Sequence, residues 1–306
     1  MTRRVLSPAL VAAAAETACL LEAHAPKPGN VSPGRERPGL TYRDFVVSAE
    51  ILGQAFRRGA GRWRVGRLVH ETIAKSRAQV RTNTHLGIVL LLAPLAKAAL
   101  RRTGGTLRRR LRDVLGDLDR DDASRVYAAI RLARPGGLGR APRQDVRRAP
   151  TVTLLEAMRL AAERDAVARE YATGYEATFT LGAPAIDRAR RRGARLEQAI
   201  VLAYLELLAA RPDTLVERRH GRSAARRVSR ESTKVLEAGG PLRPEGRVLL
   251  ERLDRRLRGA KPPINPGATA DVVAASLFVW LLSGAESGAS SRTSSRTSSR
   301  TSGRAR

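Results

Sequence analysis

The sequence has few of the residues on which several classes of functional site depend. Its 306 residues include one cysteine, Cys19, which excludes an intramolecular disulfide framework and a thiolate metal cluster within one chain. Aromatic residues make up 4% of the chain, so it lacks the stacking platforms of proteins that bind single-stranded nucleic acid. The four histidines show no HExxH or comparable spacing, which disfavours transition-metal chemistry.

The phosphate-binding fingerprints of the common nucleotide-binding folds are also missing. The nearest candidate is PGGLG at residues 135–139. This segment lacks the Lys-Ser/Thr pair of a Walker loop and the strand that would precede it. Any nucleotide site in this chain must therefore be built in another way.

Long hydrophobic runs are absent as well. The most apolar runs, Leu86–Leu95 and Val272–Leu282, are about ten residues long, whereas a membrane-spanning helix needs roughly twenty. Met1–Leu10 contains two arginines but no uninterrupted apolar core before a cleavage-like site, as a signal peptide would require. We therefore expect both runs to form buried core helices, in a cytoplasmic protein that does not enter a membrane.

The residue that the sequence has in excess is arginine. Lys and Arg together number 57 against 29 Asp and Glu, which gives a net charge of +28, and only five of the 57 are lysine. Such a charge disfavours cationic partners and permits phosphate-rich ligands, nucleic acid or anionic membranes. A general bias toward arginine over the surface explains much of this excess equally well, so the charge does not choose among these partners.

The pattern of apolar residues predicts an all-α fold. Almost every segment is rich in Ala, Leu, Arg and Glu at helical spacing, and no stretch shows sustained period-two alternation of β-branched or aromatic residues. Ser7-Pro8 and Thr41–Asp44 are start signals for the first two helices. The helices are predicted at about residues 8–25, 42–59, 66–80, 85–100, 106–115, 123–133, 152–171, 183–191, 196–210, 220–237, 244–257 and 269–282.

We predict a single multi-helix domain of ten or more helices over residues 1–288 and a disordered tail over residues 289–306. The tail repeats SRTS three times and contains no apolar residue larger than alanine, so it cannot contribute to a core. Within the domain, irregular segments rich in Pro and Gly lie at residues 24–40, 135–150 and 259–268. Because long irregular loops in compact domains tend to be functional, we predict a site built from the ends of these loops.

The first of these loops contains Lys27 and Asn30. The Pro28-Gly29 pair is typical of a type II turn, whose backbone N–H groups can face an anion, and Lys27 supplies a compact charge suited to phosphate. A helix-ending turn with a solvated lysine explains the same residues. Both interpretations stay open, although a lysine between two prolines is unusual in a chain that otherwise uses arginine.

Two further polar segments precede apolar helices. Asn83, Thr84 and His85 are either helix caps or ligands for phosphate oxygens at a helix N-terminus. Asn265–Asp271 combines an asparagine, a Pro-Gly turn and an aspartate, so Asp271 is either part of a helix start or a fixed ligand. Several converging carboxylates would bind Mg²⁺, and the carboxylates beside loops are Glu22, Asp44, Asp145, Asp165, Asp213 and Asp271.

The first Pro/Gly loop and the polar segments before the apolar helices occur in an order that resembles the family of triphosphoribosyl-dephospho-CoA synthases, also called ATP:dephospho-CoA triphosphoribosyltransferases. The resemblance covers residues 26–271. Leu215 and His220 stand where synthases of the citrate lyase type have asparagine and glycine, so the chain resembles a divergent branch. The matching residues are PKPGNV at 26–31, NTHLG at 83–87, Asp213-Thr214 with Arg219 and Gly221, Pro266-Gly267 and Ala270-Asp271.

The resemblance implies an all-helical enzyme that moves the 5-triphosphoribosyl group of ATP to the ribose 2′-hydroxyl of 3′-dephospho-CoA and releases adenine. It implies ATP with Mg²⁺ and a dephospho-CoA-like acceptor as partners, in the biosynthesis of a prosthetic group. On this basis we predict catalytic roles for His85, Asp213 and Asp271, with Mg²⁺ bound by the two aspartates. Phosphate or nucleotide binding is predicted for Lys27, Asn30, Asn83, Thr84, Arg219 and Asn265.

Two other functions stay open at this point. The same fold could use ATP with a different acceptor, for example a precursor of a pterin-type cofactor. Alternatively, the arginine-rich surface could grip nucleic acid without reading its sequence. The scarcity of aromatic residues disfavours this second alternative.

Overall fold

The structure, a computed structural model, describes residues 6–37 and 39–294, with side chains up to residue 284. The described residues form thirteen α-helices and no β-sheet, which confirms the predicted all-α fold. The helices are α1 (Pro8–His24), α2 (Tyr42–Gly59), α3 (Val65–Gln79), α4 (Leu86–Leu100), α5 (Leu107–Gly116), α6 (Arg120–Ala133), α7 (Leu154–Ala161), α8 (Ala166–Thr173), α9 (Ala183–Arg191), α10 (Leu196–Ala210), α11 (Thr214–Glu237), α12 (Pro244–Gly259) and α13 (Gly267–Ser294).

The first two helices begin where their capping residues predict. The Ser7 hydroxyl accepts a hydrogen bond from the Leu10 N–H at 3.2 Å, with Pro8 in the first helical position. Thr41 and Asp44 form a reciprocal capping box at the start of α2. These side chains satisfy backbone N–H groups that have no partner inside the helix, so local chemistry is sufficient to define both starts.

Two predicted helices differ from the observed ones. The helix predicted over residues 152–171 is two helices, α7 and α8, because the Asp165 carboxylate accepts a hydrogen bond from the Ala168 N–H at 3.0 Å and starts a new helix. The helix predicted over residues 220–237 corresponds to the second part of α11, and a first part that begins at Thr214, with Asp213 as its cap, precedes it. Gly221, at φ 84° and ψ 162°, interrupts α11, which only glycine does readily.

A π-helical turn at Thr178–Gly182 was not predicted from the sequence. The Glu170 carboxylate accepts hydrogen bonds from the N–H groups of Ala177 and Thr178 and from the Thr178 hydroxyl. The turn also packs against α13, where a Cβ on Gly182 would overlap with the Ser276 hydroxyl. Tertiary contacts therefore determine this turn, and the local sequence pattern carries no signal for it.

The centre of the domain is formed by α4 and α13, which pack against each other. Both are apolar on nearly all sides, as expected for helices surrounded by protein. The first eighteen residues of α13 are long and apolar enough to cross a membrane, but 67% of this stretch is buried inside the protein. That burial is typical of a core helix, in agreement with the prediction for Val272–Leu282.

The last helix continues to Ser294, six residues into the segment predicted to be a disordered tail. The rest of that segment, residues 295–306, lies outside the described residues. The disorder of the tail and the domain boundary at residue 288 therefore stay predictions.

Replacing Gly66 by alanine is expected to destabilise the fold. A Cβ at this position would lie 2.5 Å from the Asp122 Cα and 2.7 Å from the Asp122 carbonyl oxygen, where α3 crosses α6. Because backbone atoms cannot move aside cheaply, we expect the free energy of unfolding to fall by about 2 kcal/mol in urea denaturation. Gly116→Ala is the control, since no atom lies within 4 Å of its Cβ position. Equal losses in the two variants would contradict this account.

Candidate functional site

A cavity of about 620 Å³, here called the site cavity, opens where several helices begin. Its wall is formed by the starts of α4, α8, α11 and α13, by α6 and α7, and by the second Pro/Gly loop. The positive dipole ends of these helices favour an anion at this wall, although the side chains of Asn83, Asp165 and Asp213 already accept from several of the first N–H groups. Of the three Pro/Gly loops, the second contributes most to this wall, whereas the first contributes Leu40 and the third contributes Asn265 and Ala268.

Arginine is the dominant charged residue of the site cavity. Arg218 donates to the Asp165 carboxylate at 2.6 Å, and its Nε is buried without a hydrogen-bond partner. The other five arginines have no carboxylate within 4 Å among the described residues; they are Arg77, Arg81, Arg134, Arg164 and Arg219. A cavity with this much unpaired guanidinium charge is suited to a polyphosphate, because arginine binds phosphate oxygens through two N–H groups.

The Asp271 carboxylate is the other distinctive group of the site cavity. It lies half-buried at the start of α13, and no hydrogen-bond or ion-pair partner is found for it in the described part of the chain. Burial raises its pKa well above the ordinary value, and the carboxylates of Glu22, Asp165 and Asp213 raise it further. A carboxylate of raised pKa and free lone pairs is a better proton acceptor than an ordinary aspartate.

Gly87 allows Asp271 to occupy this position. In the first turn of α4, a Cβ on Gly87 would overlap with Oδ2 of Asp271. The missing side chain lets the carboxylate approach the N-terminus of α4, where the helix dipole favours negative charge. One residue earlier, the Leu86 N–H donates to Oδ1 of Asn83 at 3.1 Å, so the asparagine acts as a cap.

The structure brings together four of the predicted site residues and separates five. Lining the site cavity are Asn83, Arg219, Asn265 and Asp271. The Arg219 side chain lies against Gly136 and Gly137 of the second loop, and Oδ1 of Asn265 is buried without a hydrogen-bond partner. The residues that do not line it are Lys27, Asn30, Thr84, His85 and Asp213.

Asp213 joins two helices instead of facing the site cavity. Its Oδ1 accepts hydrogen bonds from the N–H groups of Leu215 and Val216, and its Oδ2 accepts from the N–H and hydroxyl of Thr269. Burial raises the pKa of Asp213, an effect opposed by these hydrogen bonds. With four donors on two oxygens, the carboxylate fastens the start of α11 to the start of α13 and has little capacity left for Mg²⁺.

His85 and Thr84 lie behind the start of α4. The His85 side chain is buried, and its Nε2 donates to the Ser48 carbonyl oxygen at 3.0 Å. Burial lowers the pKa of His85 to about 4, so the imidazole is neutral near pH 7 and cannot act as a cation for phosphate. The Thr84 hydroxyl lies 2.6 Å from the Ser48 hydroxyl. Both side chains thereby connect α4 to α2.

The first loop is a buried connection between distant parts of the chain. The Lys27 ammonium forms an ion pair with Glu22 at 2.9 Å and donates to the carbonyl oxygens of Glu22 and Ala25. Asn30 donates to the Tyr204 hydroxyl at 3.0 Å. Gly29, at φ 77°, lies so close to α12 and the third loop that a Cβ would be 2.9 Å from the Ile264 carbonyl oxygen. These contacts position the loop within the fold and do not direct Lys27 into the site cavity.

Replacing Lys27 by alanine therefore tests a structural role against a phosphate-binding one. Because the change leaves the buried Glu22 without its partner, we expect the free energy of unfolding to fall by about 3 kcal/mol. The double variant Lys27→Met/Glu22→Gln removes both charges and is expected to recover most of that loss. Urea denaturation measures both. A Lys27→Ala variant of unchanged stability but with a raised KM for ATP would support direct phosphate contact instead.

Several cavity residues were not predicted from the sequence. Asp165 appeared only as one of six loop-side carboxylates, and its neighbour Arg164 gave no signal. Arg77, Arg81 and Arg218 are three of 52 arginines, so nothing in their local pattern distinguishes them from surface residues. Gly87 does carry a signal, since glycine is a poor helix former at the start of an otherwise strongly apolar helix.

Comparison with known proteins gives one consistent family. The family model described as ATP:dephospho-CoA triphosphoribosyl transferase matches residues 8–289. A 2-(5''-triphosphoribosyl)-3'-dephosphocoenzyme-A synthase of Klebsiella pneumoniae is 33% identical over 118 residues, 38% of this chain and 41% of the relative. A Pseudomonas fluorescens protein assigned the same name is 29% identical over 242 residues, 78% of this chain and 73% of the relative.

A solved structure agrees with these sequence matches. The crystal structure of an Archaeoglobus fulgidus protein assigned as a triphosphoribosyl-dephospho-CoA synthase superposes with a TM-score of 0.61 at 27% sequence identity. The superposition covers 78% of this chain and 99% of the other. The family resemblance predicted from the motifs is thereby confirmed. Since the family model matches nearly the whole chain, the protein belongs to the ATP:dephospho-CoA triphosphoribosyl transferase family.

Proposed function

We propose that this protein transfers the 5-triphosphoribosyl group of ATP to the ribose 2′-hydroxyl of 3′-dephospho-CoA and releases adenine. The observation that carries the proposal is the site cavity, in which five arginines without carboxylate partners face one carboxylate without a partner, Asp271. A polyphosphate requires the first set of groups, and activation of a hydroxyl requires the second.

The site cavity is lined by both charged and apolar residues. The arginines, together with the positive dipole ends of the helices, would hold the triphosphate. Apolar and aromatic side chains of α4, α6 and α7 suit the flat base of ATP. These side chains are Leu86, Leu90, Val126, Tyr127, Ile130, Leu154 and Met158.

In the proposed reaction the bond between C1′ and N9 of ATP breaks and a bond forms between C1′ and the acceptor 2′-oxygen. We assign to Asp271 the acceptance of the hydroxyl proton and stabilisation of the positive charge that develops at C1′. The departing adenine takes up one proton, so that it leaves as a neutral base. The second loop lines the site cavity through Gly136, Leu138 and Ala141.

Mg²⁺ enters this proposal as part of the ATP substrate and would neutralise charge on the triphosphate. No group of three or more His, Cys, Asp and Glu residues is arranged as a metal site within the described ranges. That agrees with the preference of Mg²⁺ for one or two carboxylates together with phosphate oxygens. Asp213, assigned to Mg²⁺ from its motif, is left out of the proposed site.

The test is an incubation of the purified protein with Mg-ATP and dephospho-CoA. Free adenine is followed by chromatography, and the acceptor is followed by mass spectrometry. Adenine together with an adduct heavier by one triphosphoribosyl group would support the proposal. Adenine without that adduct would mean that water took the triphosphoribosyl group and would contradict transfer to dephospho-CoA, and a mixture that produces neither would refute the proposed reaction. A parallel incubation without dephospho-CoA measures hydrolysis of ATP to adenine.

A further inference from the structure

A second cavity adjoins the site cavity between α3 and α6. It is a shallow, open depression of about 560 Å³, lined by His70, Arg77, Ala128, Arg131, Leu132 and Arg134. We call it the α3–α6 pocket. Arg77 and Arg134 line both cavities, so one ligand can extend from the pocket into the site. Arg134 reaches this position as the left-handed cap residue that ends α6, at φ 48° and ψ 57°.

The charge of the α3–α6 pocket is uncompensated. Its lining includes three arginines and a histidine but no carboxylate, and none of these four residues has an ion-pair partner within 4 Å among the residues that the structure describes. Arg77 and Arg131 each donate one hydrogen bond to a carbonyl oxygen, of Val80 and Val146 respectively. A guanidinium group has five N–H donors, so both retain donors for a ligand.

The volume of the site cavity indicates a role for the α3–α6 pocket. Cavities of 300–1,000 Å³ typically hold one ligand of drug size, and the site cavity is within that range. The proposed reaction joins two nucleotides, each with a chain of phosphates. If ATP fills the site cavity, the acceptor must extend outside it while its ribose hydroxyl reaches Asp271. An adjoining pocket with unpaired arginines is the place for the acceptor's own phosphates.

Another basic cavity is a weaker candidate for this role. It lies within the second loop and contains Arg140, Arg147 and Arg148. It also contains Asp145, whose carboxylate pairs with Arg147 at 2.6 Å and so cancels part of the positive charge. Its residues all belong to that loop, whereas most of the α3–α6 pocket lies on two packed helices. A binding site on rigid helices holds a ligand in place at lower entropic cost.

We infer that the α3–α6 pocket binds the pyrophosphate group of the acceptor nucleotide and thereby directs its 2′-hydroxyl into the site cavity. This inference rests on the proposed function for the identity of the acceptor. ATP also contains a pyrophosphate unit, so the test separates the two sources. Arg131 and His70 belong to the pocket but not to the site cavity, which makes them the residues to change.

The experiment compares the full-length protein with His70→Glu and Arg131→Gln, and measures KM separately for dephospho-CoA and for ATP. Arg131→Gln removes a charged donor to the acceptor's phosphates, and His70→Glu replaces a donor by a carboxylate that repels them. We therefore expect KM for dephospho-CoA to rise about tenfold in each variant. KM for ATP and kcat are expected to stay within about twofold of the wild-type values. Arg125→Gln is the control, because Arg125 lies on the same helix, pairs with Asp121 and lines neither cavity.

The outcomes distinguish this inference from the proposed function. Unchanged KM values, or a rise for ATP alone, would overturn the pocket's role while the reaction stands. If the wild-type protein forms no adduct, the proposed function fails, and calorimetric titration without ATP then decides the inference. Dephospho-CoA and inorganic pyrophosphate should each bind the wild type about ten times more tightly than His70→Glu. Equal affinities, or no binding to the wild type, would refute the pocket.

Discussion

Replacing Asp271 by asparagine is expected to lower kcat for adenine release by about a thousandfold, the scale on which a positioned proton acceptor contributes to catalysis. Asparagine keeps the shape of the side chain but cannot accept the proton of the acceptor hydroxyl. Steady-state assays with saturating Mg-ATP and dephospho-CoA measure the effect. Asp187→Asn on α9 serves as the control, because that aspartate forms a surface pair with Arg191 and lines neither cavity.

The same variant should show a pH-dependent gain in stability. The pKa of Asp271 is raised in the folded protein. Its contribution to stability is therefore complete below the pKa of the unfolded chain and is lost as the pH rises through the folded pKa. Asp271→Asn lacks this titration, so its melting temperature should match the wild type at acidic pH and exceed it at alkaline pH. A difference in melting temperature between variant and wild type that stays constant from acidic to alkaline pH would contradict our account of Asp271. Full activity of the variant would also contradict it.

Gly87→Ala is expected to lower kcat by about a hundredfold with little change in stability. The added Cβ would overlap with both Oδ2 and Cγ of Asp271, so the whole carboxylate must rotate away about the Cα–Cβ bond. Stability is therefore retained, in contrast to Gly66→Ala, where the overlap is with backbone. Activity is lost because the carboxylate leaves its position relative to C1′, and small displacements of a catalytic group are costly.

A double-variant cycle tests whether the two residues act together. If Gly87→Ala acts only by moving the Asp271 carboxylate, it should have no further effect on kcat in the Asp271→Asn background. Thermal denaturation of all four proteins checks that they are folded. Additive losses in the double variant would mean that Gly87 affects activity by a separate route. An unaffected Gly87→Ala variant would mean that the position of the carboxylate is not critical.

The helices and the family could be predicted from the sequence because both are expressed in local patterns. Ser7, Thr41 and Asp44 are cap residues whose side chains bond to backbone three residues away, so their chemistry is local. The division at Asp165 was missed because Asp is also tolerated within a helix, and only its bond to the Ala168 N–H distinguishes the two cases. The π-helical turn was missed because it is stabilised by contacts with residues outside the turn, namely hydrogen bonds to the Glu170 carboxylate and packing against α13.

The motif residues identify the family, but their local sequence does not show which of them line the site cavity and which are buried between helices. Lys27 is the clearest example: a lysine between prolines suggests a phosphate ligand, yet it is fully buried against Glu22. Asp213 and His85 likewise fasten helices to one another. A residue type and its neighbours in sequence do not reveal whether a side chain faces a cavity or the interior.

The sequence by itself determined the all-α class, most helix starts and the family, because capping, periodicity and motif order depend on residues close together in the chain. Only the tertiary structure decided which charges form the site. It placed Asp271 against Gly87 and brought five of 52 arginines together in one cavity without a carboxylate partner among the described residues. It also placed Lys27 and Asp213 in buried contacts between segments of the fold. Burial and pairing depend on residues distant in sequence, and they alone distinguish a binding arginine from a surface one.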